Sequence, residues 1–266
     1  MTCDPRELAS HLDRLRRFFA TLHDDTPVRD IGAGSVRVAP GGPLAESASM
    51  SKDTLRWYAG DGPLRATHLD LMIAFAREHE RRRMFVWCSP WMVDAESELA
   101  LAAIGAAPVP HVSFHALARR SADAPTFAPP GVEVRRIAAD DAKPIFDTAN
   151  LWYPRFNLAA SLRGVMRGSI ELFAAFINGV PAAISLLTPL GEWANLGGAF
   201  TDPGACGRGA QKALIAARLR RAAELGFRWC SSETSDTNPI SLDNLKKCGF
   251  ESLLVWRVFQ WDDVAH

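Results

Sequence analysis

The sequence predicts an α/β protein that carries one structural unit in two tandem copies, and three observations lead there. The pentapeptide FVWCS at 85–89 has a near twin, FRWCS, at 227–231. Phe85, Trp87, Cys88 and Ser89 match Phe227, Trp229, Cys230 and Ser231 at an offset of 142, and Ser97, Leu101 and Gly105 match Ser241, Leu245 and Gly249 at an offset of 144. A loop two residues longer in the second copy accounts for the change of offset. Each copy then closes on an alternating apolar stretch, VSFHALA at 112–118 and LLVWRVFQW at 253–261. The repeated pattern is strand, loop, short helix ending at Gly, loop, strand, and a repeat of this kind sets the architecture before any single residue does. The third observation is LFAAFINGVPAAISLLTPL at 172–190, nineteen residues without a charge. A hydropathy window takes it for a membrane span. Asn178-Gly179 in its middle instead predicts a hairpin, since both residues tolerate positive φ.

The elements follow in order. The N-terminal MTCDPRELASHLDRLRRFF is broken by charges throughout and has no apolar signal-peptide region. VRDIGAGSVRVAP reads as a strand with glycine-rich turns, and 67–82 as an amphipathic helix capped by Thr67. Its apolar side carries Leu69, Met72, Ile73 and Phe75, and Arg81–Arg83 form a solvated helix end at the negative pole of the helix dipole. Residues 121–131, SADAPTFAPPG, break every periodicity with three prolines and mark the boundary between a domain at 1–125 and one at 126–266. VEVRRIA alternates as a strand, DDAKPIFDTANLW is helical, and helical spacing resumes after Tyr153, Pro154, Arg155 and Phe156. Strands at 171–177 and 181–188 form the hairpin, a further strand covers 192–201, and a helix runs to Gly226, a good stop signal. The order in the second copy is β-α-α-β-β-β-α-β-α-β.

Composition narrows the function classes. The chain has 266 residues, 48% hydrophobic and 23% charged, which suits one long or two ordinary globular domains. Thirty basic and thirty acidic residues cancel, so no global field draws in nucleic acid or an anionic membrane. Five scattered cysteines without CxxC or Cys/His spacing argue against a zinc site or disulfide framework, and free thiols suit a reducing cytoplasm.

The segment that carries chemistry is TDPGACGRGAQKALIAARLRRAAELG, at 201–226. Pro203 ends a strand, and Gly207 and Gly209 stand at the start of a helix. Unpaired N–H groups and about half a positive charge at a helix N-terminus suit a phosphate, and glycines let it approach the backbone. Arg208 and Lys212 add charge. Taken alone, a GxG turn is a weak signal, and an ordinary tight strand-to-helix connection is the better reading of it.

The strand order, this turn and NPISLDNLKKCGF at 238–250 together resemble the GNAT superfamily of acyl-CoA-dependent N-acyltransferases. The resemblance covers 132–261 best and implies, for each copy, a mixed, mainly antiparallel sheet flanked by helices. In that family a splayed strand leads to a Q/R-x-x-G-x-G/A turn whose backbone N–H groups hold the coenzyme A pyrophosphate. Here the turn reads Cys206-Gly207-Arg208-Gly209-Ala210-Gln211, with Cys206 in place of Gln/Arg and Gln211 in place of the final Gly/Ala. Gln211 puts bulk close to the expected pyrophosphate. The resemblance therefore implies a cofactor site made of Phe200, Thr201, Gly207, Arg208, Gly209, Ala210, Gln211, Lys212, Asn238 and Ser241. A Tyr commonly stands four residues before the Gly of the closing Gly249-Phe250 and protonates the leaving thiolate; Leu245 stands there. In the first copy GDGPLRATHLD replaces the phosphate turn, with Pro63 and Leu64 after Gly60 and Gly62, so that copy reads as degenerate.

The implied reaction is direct transfer from acetyl-CoA or another acyl-CoA, as co-substrate, to an amine. A backbone N–H of the splayed strand, about 195–201, polarises the thioester carbonyl. Glu192 and Glu233 are the candidate bases, each also readable as an exposed or structural carboxylate. Asp236 is a capping candidate for the helix near Asn238. Trp152, Tyr153, Arg155 and Phe156 are candidate walls of an acceptor pocket or, equally, helix packing. Small amine, amino acid, antibiotic and protein side chain stay open as acceptors, and the chain is expected as a monomer or homodimer. Two other classes remain: a non-catalytic acyl-CoA-binding or interaction module, and a dinucleotide-dependent oxidoreductase. Against the second, GRG lacks a third glycine and lies late in the chain.

Overall fold

The structure, a computed structural model, describes residues 3–22, 28–30, 34–38, 54–59, 62–109, 113–122, 125–153 and 158–263. In chain order the elements are α1 (Pro5–Thr21), β1 (Val28–Asp30), β2 (Gly34–Val38), β3 (Thr54–Ala59), α2 (Ala66–Glu78), β4 (Arg83–Cys88), α3 (Ala95–Ala103), β5 (Ala107–Pro108) and β6 (Phe114–Arg120). Then come β7 (Val132–Ile137), α4 (Ala142–Trp152), α5 (Ala159–Met166), β8 (Glu171–Ile177), β9 (Val180–Leu190), β10 (Trp193–Thr201), α6 (Ala210–Glu224), β11 (Trp229–Ser235), α7 (Pro239–Lys247) and β12 (Glu251–Asp262). From β7 onward this is the predicted order.

The chain divides into two compact units, Met1–Ala116 with Ser235–Thr237 and Leu253–His266, and Leu117–Thr234 with Asn238–Ser252. A cut between 125 and 126 therefore does not reproduce them. Backbone pairing is the reason: β12 runs antiparallel to β4 from Arg257↔Cys88 to Asp262↔Arg83, so the closing strand of the second copy completes the first unit.

In the first unit β1, β2 and β3 pair antiparallel, β3 runs parallel to β4, and β5 adds to β12. Leu69, Met72 and Phe75 of α2 are buried against Met84, Val86 and Phe259, as the helical spacing predicts. Two local expectations need correction. The N-cap of α2 is Arg65, whose backbone N–H is accepted by His68 Nδ1 at 3.1 Å, and Thr67 already lies inside the helix. The helix stops at Glu78, and Arg83 opens β4, where its Nε donates to Asp262 Oδ1 at 2.6 Å. Gly60 lies outside the described residues.

The second unit has β7, β8, β9 and β10 antiparallel and β10 parallel to β11. The hairpin between β8 and β9 turns on Asn178 at φ 53 and Gly179 at φ 77, both left-handed, so the uncharged stretch is two buried strands. Leu214 and Leu219 of α6 pack with Ala194, Leu196, Cys230 and Phe250 in the core.

The repeat has a structural counterpart at its matched helix positions. Asp94 caps α3 by accepting from Ser97 N at 2.9 Å, and Asn238 caps α7 by accepting from Ser241 N at 3.3 Å. Leu101 and Leu245 are buried, and Gly105 and Gly249 hold φ 76 and 82 where the helices end. Asp236, read from sequence as a cap, instead accepts from Ser113 N at 3.0 Å.

Candidate functional site

The site begins where two strands part. β10 and β11 are in parallel register only over Trp193–Asn195 and Trp229–Ser231, although β10 continues to Thr201 and β11 to Ser235. Beyond that point the Ser232 hydroxyl donates to Leu196 O at 2.9 Å, a side chain doing what the ladder no longer does. The counterpart strands of the first unit stay in register from Thr54↔Arg83 to Tyr58↔Trp87, nearly the whole of β3. Divergence is thus a feature of the second unit alone among the described pairs.

On its other side β10 carries a bulge. Gly197 opposes Leu186 and Phe200 opposes Ile184, so Gly198 and Ala199 together face Ser185. Gly198 has φ +54, a conformation that glycine takes at little cost.

The chain then turns through Asp202, whose carboxylate accepts from Gly204 N at 2.9 Å, and a short 3-10 turn at Pro203–Ala205. Gly207 at φ +80 and Gly209 at φ +84 lead into α6, with Gly209 as its N-cap. The first N–H groups of α6 have no partner within the helix and point along its positive end. A Cβ on Gly209 would lie 3.1 Å from Pro129 Cβ and 3.4 Å from Phe127 Cε1, so the segment before β7 lies against this turn. Lys212 Nζ sits 4.4 Å from the centre of the Phe127 ring.

A cleft of about 940 Å³ opens here. All ten residues expected from sequence at the cofactor site line it: Phe200, Thr201, Gly207 to Lys212, Asn238 and Ser241. Gln211 does more than add bulk. Its Nε2 donates to Ser241 Oγ at 3.1 Å and its Oε1 accepts from Asn244 Nδ2 at 2.8 Å, which ties the start of α6 to α7.

Of the expected acceptor residues, Tyr153 lines this same cleft. Its hydroxyl donates to Thr201 O at 2.9 Å, and burial, with Cys206 and Asp202 nearby, raises its pKa. Trp152 is not among the lining residues, and Arg155 and Phe156 lie outside the described residues. Glu192 is exposed on the turn before β10, and Glu233 is exposed on β11; neither lines the cleft. Leu245, at 3% exposure, belongs to the core. Burial pushes the Cys230 thiol up to about 12 and the Cys88 thiol higher still, so the repeated cysteines are packing residues rather than nucleophiles.

Gly198 and Ala199, within the splayed strand expected at about 195–201, also line the cleft. Sequence reasoning passed over Phe127, Pro129, Ile240 and Asn244, which line it too. For Asn244 a signal existed: it stands one helical turn after Ser241 on α7. For Phe127 and Pro129 the only signal was an aromatic in a proline-rich stretch, which carries no period.

Solved structures give the likeness. A GCN5-related N-acetyltransferase from Kribbella flavida superposes with a TM-score of 0.65 at 15% identity, over 97% of this chain and 96% of that one. A tandem GNAT protein from the clavulanic acid biosynthesis pathway, without acetyl-CoA, gives 0.62 at 15%, over 99% and 98%. A GCN5-related N-acetyltransferase from Sphaerobacter thermophilus gives 0.61 at 13%, over 79% and 72%. No protein-family model and no curated protein matches the sequence. At these identities the likeness is one of fold, and the fold is a tandem GNAT arrangement.

Proposed function

We propose, from the premise that this chain has the tandem GNAT fold, that its second unit transfers an acyl group from acyl-CoA to an amine, with acetyl-CoA as the expected donor. The observation that supports this reading is the meeting of three features at one cleft: the parted strands, the bulge of β10 and the glycine turn into α6.

The co-substrate supplies a thioester. In this reading the N–H groups of Gly207 to Gln211 receive its pyrophosphate, and Arg208 and Lys212 balance the negative charge. The edge of β10 released from β11 after Asn195 pairs with the pantetheine amides, and a backbone N–H near the bulge stabilises charge that develops on the carbonyl oxygen. The amine nitrogen forms its bond to the carbonyl carbon as the carbon–sulfur bond breaks. Neither candidate carboxylate lines the cleft, so the amine proton leaves through water. It passes toward Glu233, which lies on β11 beyond the parting point, rather than toward Glu192, which lies before it. With Leu245 in the core, water protonates the leaving thiolate, tolerable for a thiol whose pKa is about 8.5. The first unit, whose counterpart strands remain paired, is proposed as a degenerate copy that binds no coenzyme. A cytoplasmic location is part of the proposal and accords with five free cysteines. Among the described residues no helix is long and apolar enough to cross a membrane.

The buried Leu245 favours one second reading, an acyl-CoA-binding module without turnover. Thermal unfolding with acetyl-CoA, coenzyme A, NAD and NADP tests the cofactor class. A ligand at about 100 times its Kd stabilises by roughly 2.7 kcal/mol. The expected result is a rise with both coenzyme A ligands, lost in Gly207→Asp and kept in Gly207→Asn, since both side chains tolerate the left-handed turn and only one repels phosphate. No response to either coenzyme A ligand overturns the proposal. Binding without acyl transfer to any of a panel of amines selects the second reading.

A further inference from the structure

Arg218 of α6 is 1% exposed, and among the described residues no carboxylate pairs with it. A guanidinium taken out of water without a counter-charge is costly unless every donor it turns inward finds an acceptor. Arg218 meets that need with backbone. Its Nε donates to Leu214 O at 3.2 Å within its own helix, and its Nη1 donates to Leu186 O at 2.9 Å and to Gly197 O at 3.3 Å. Leu186 and Gly197 are cross-strand partners, the last pair before the register of β9 and β10 breaks at the bulge. Burial pulls its pKa down to about 9, which still leaves it charged at neutral pH.

The location matters because the bulge has little else to hold it. Gly197 and Gly198 bring no side chain to pack and a large freedom to lose, so the strand there is intrinsically loose. Two successive carbonyls of β10 are held by side chains from different elements, Leu196 O by Ser232 and Gly197 O by Arg218. We propose that Arg218 is a positioning residue that clamps β9 to β10 at the bulge and so fixes the released edge of β10 against which the pantetheine arm of acyl-CoA lies. This rests on the acyl-CoA reading of the cleft. Arg218 touches no reacting atom; it acts through the backbone of Gly197 to Ala199.

A purely structural arginine and a positioning one differ in which part of the ligand they affect. Adenosine 3′-phosphate 5′-diphosphate carries the adenine and pyrophosphate but no pantetheine, so it reaches the turn of α6 and not the bulge. Calorimetric titration of the full chain with this nucleotide and with coenzyme A separates the two. In Arg218→Met, coenzyme A is expected to bind at least about tenfold more weakly while the nucleotide changes by less than about twofold. Arg218→Lys, which keeps a charged donor but not the fork, is expected to fall between. Amide hydrogen exchange is expected to rise in 195–201 and to stay unchanged in α6. Equal weakening of both ligands, or unchanged coenzyme A binding, overturns the proposal. Should Arg218→Met fail to fold, Arg218→Lys carries the same comparison. If the wild-type chain binds neither ligand, the acyl-CoA reading falls by itself. Exchange in 195–201 then decides the clamp, and no change there overturns it too.

Discussion

Gly198 shows how narrowly one position can be specified. Its φ is +54, and a Cβ there would stand 2.6 Å from Leu186 Cδ1 and 2.9 Å from Cγ. Gly198→Ala therefore combines left-handed strain with overpacking and is expected to cost about 2–4 kcal/mol. Gly191 also has a left-handed φ, +61, but nothing within 4 Å, so Gly191→Ala is expected to cost only about 1–2 kcal/mol. Urea unfolding of the pair separates crowding from strain, and equal losses contradict the crowding argument. His11 gives a prediction in pH. Burial, with Arg14 and Arg16 beside it, pushes its pKa down to about 3. The folded chain keeps the imidazole neutral while the unfolded chain takes up a proton below about pH 6.5. Unfolded protein binds more protons between those values, so stability falls as pH drops through that window, by at most about 1.4 kcal/mol per unit from this group. His11→Asn is expected to flatten that slope in urea melts at about pH 7 and 5. The left-handed turn at Asn178-Gly179 was legible in the sequence, because the dipeptide states its own conformation. The need for glycine at 198 was not, because it comes from Leu186 on another strand.

At the scale of elements the repeat is the most informative feature. Asp94 and Asn238 cap α3 and α7 three residues before matched serines, and the same leucine and glycine follow in each helix. Loss of one cap is expected to cost about 1 kcal/mol, so Asn238→Ala should lower stability by that amount. Asn238→Asp should restore it, and a melt that does not distinguish Ala from Asp contradicts the capping role. The sequence displayed these helices because cap, apolar spacing and terminal glycine are all local signals. It also displayed the glycine turn into α6, since Gly207 and Gly209 stand at a strand-to-helix junction. It did not display the bulge of β10, because a strand pattern states which face is apolar and not which neighbour it keeps. For the same reason the parting of β10 from β11 was expected only through the family resemblance, as the splayed strand at about 195–201. Thr67 was misread as a cap for a related reason: Arg65 caps α2 without a capping side-chain type, and no composition rule finds it.

For the whole molecule, the two copies were legible and their strand allocation was not. Alternation at 112–118 and 253–261 identifies strands, but β12 completes the first unit from Leu253, and the second unit begins inside β6 at Leu117. Separate fragments 1–125 and 126–266 are therefore expected to be unstable. The first would expose the edge of β4 that β12 covers, and the second would lack β6 beside β11. Co-expression of the two fragments is expected to restore cooperative unfolding. A fragment that melts cooperatively alone contradicts this. The placement of β12 also orders events at the ribosome. Between the emergence of Cys88 and that of its neighbour's last residue, Asp262, 174 residues must be made. At about 5–20 residues per second that is roughly 9–35 s. Through that interval the edge of β4 that β12 later covers presents unpaired backbone N–H and C=O groups, so slow translation has a cost that neither copy would bear if it closed on its own strand.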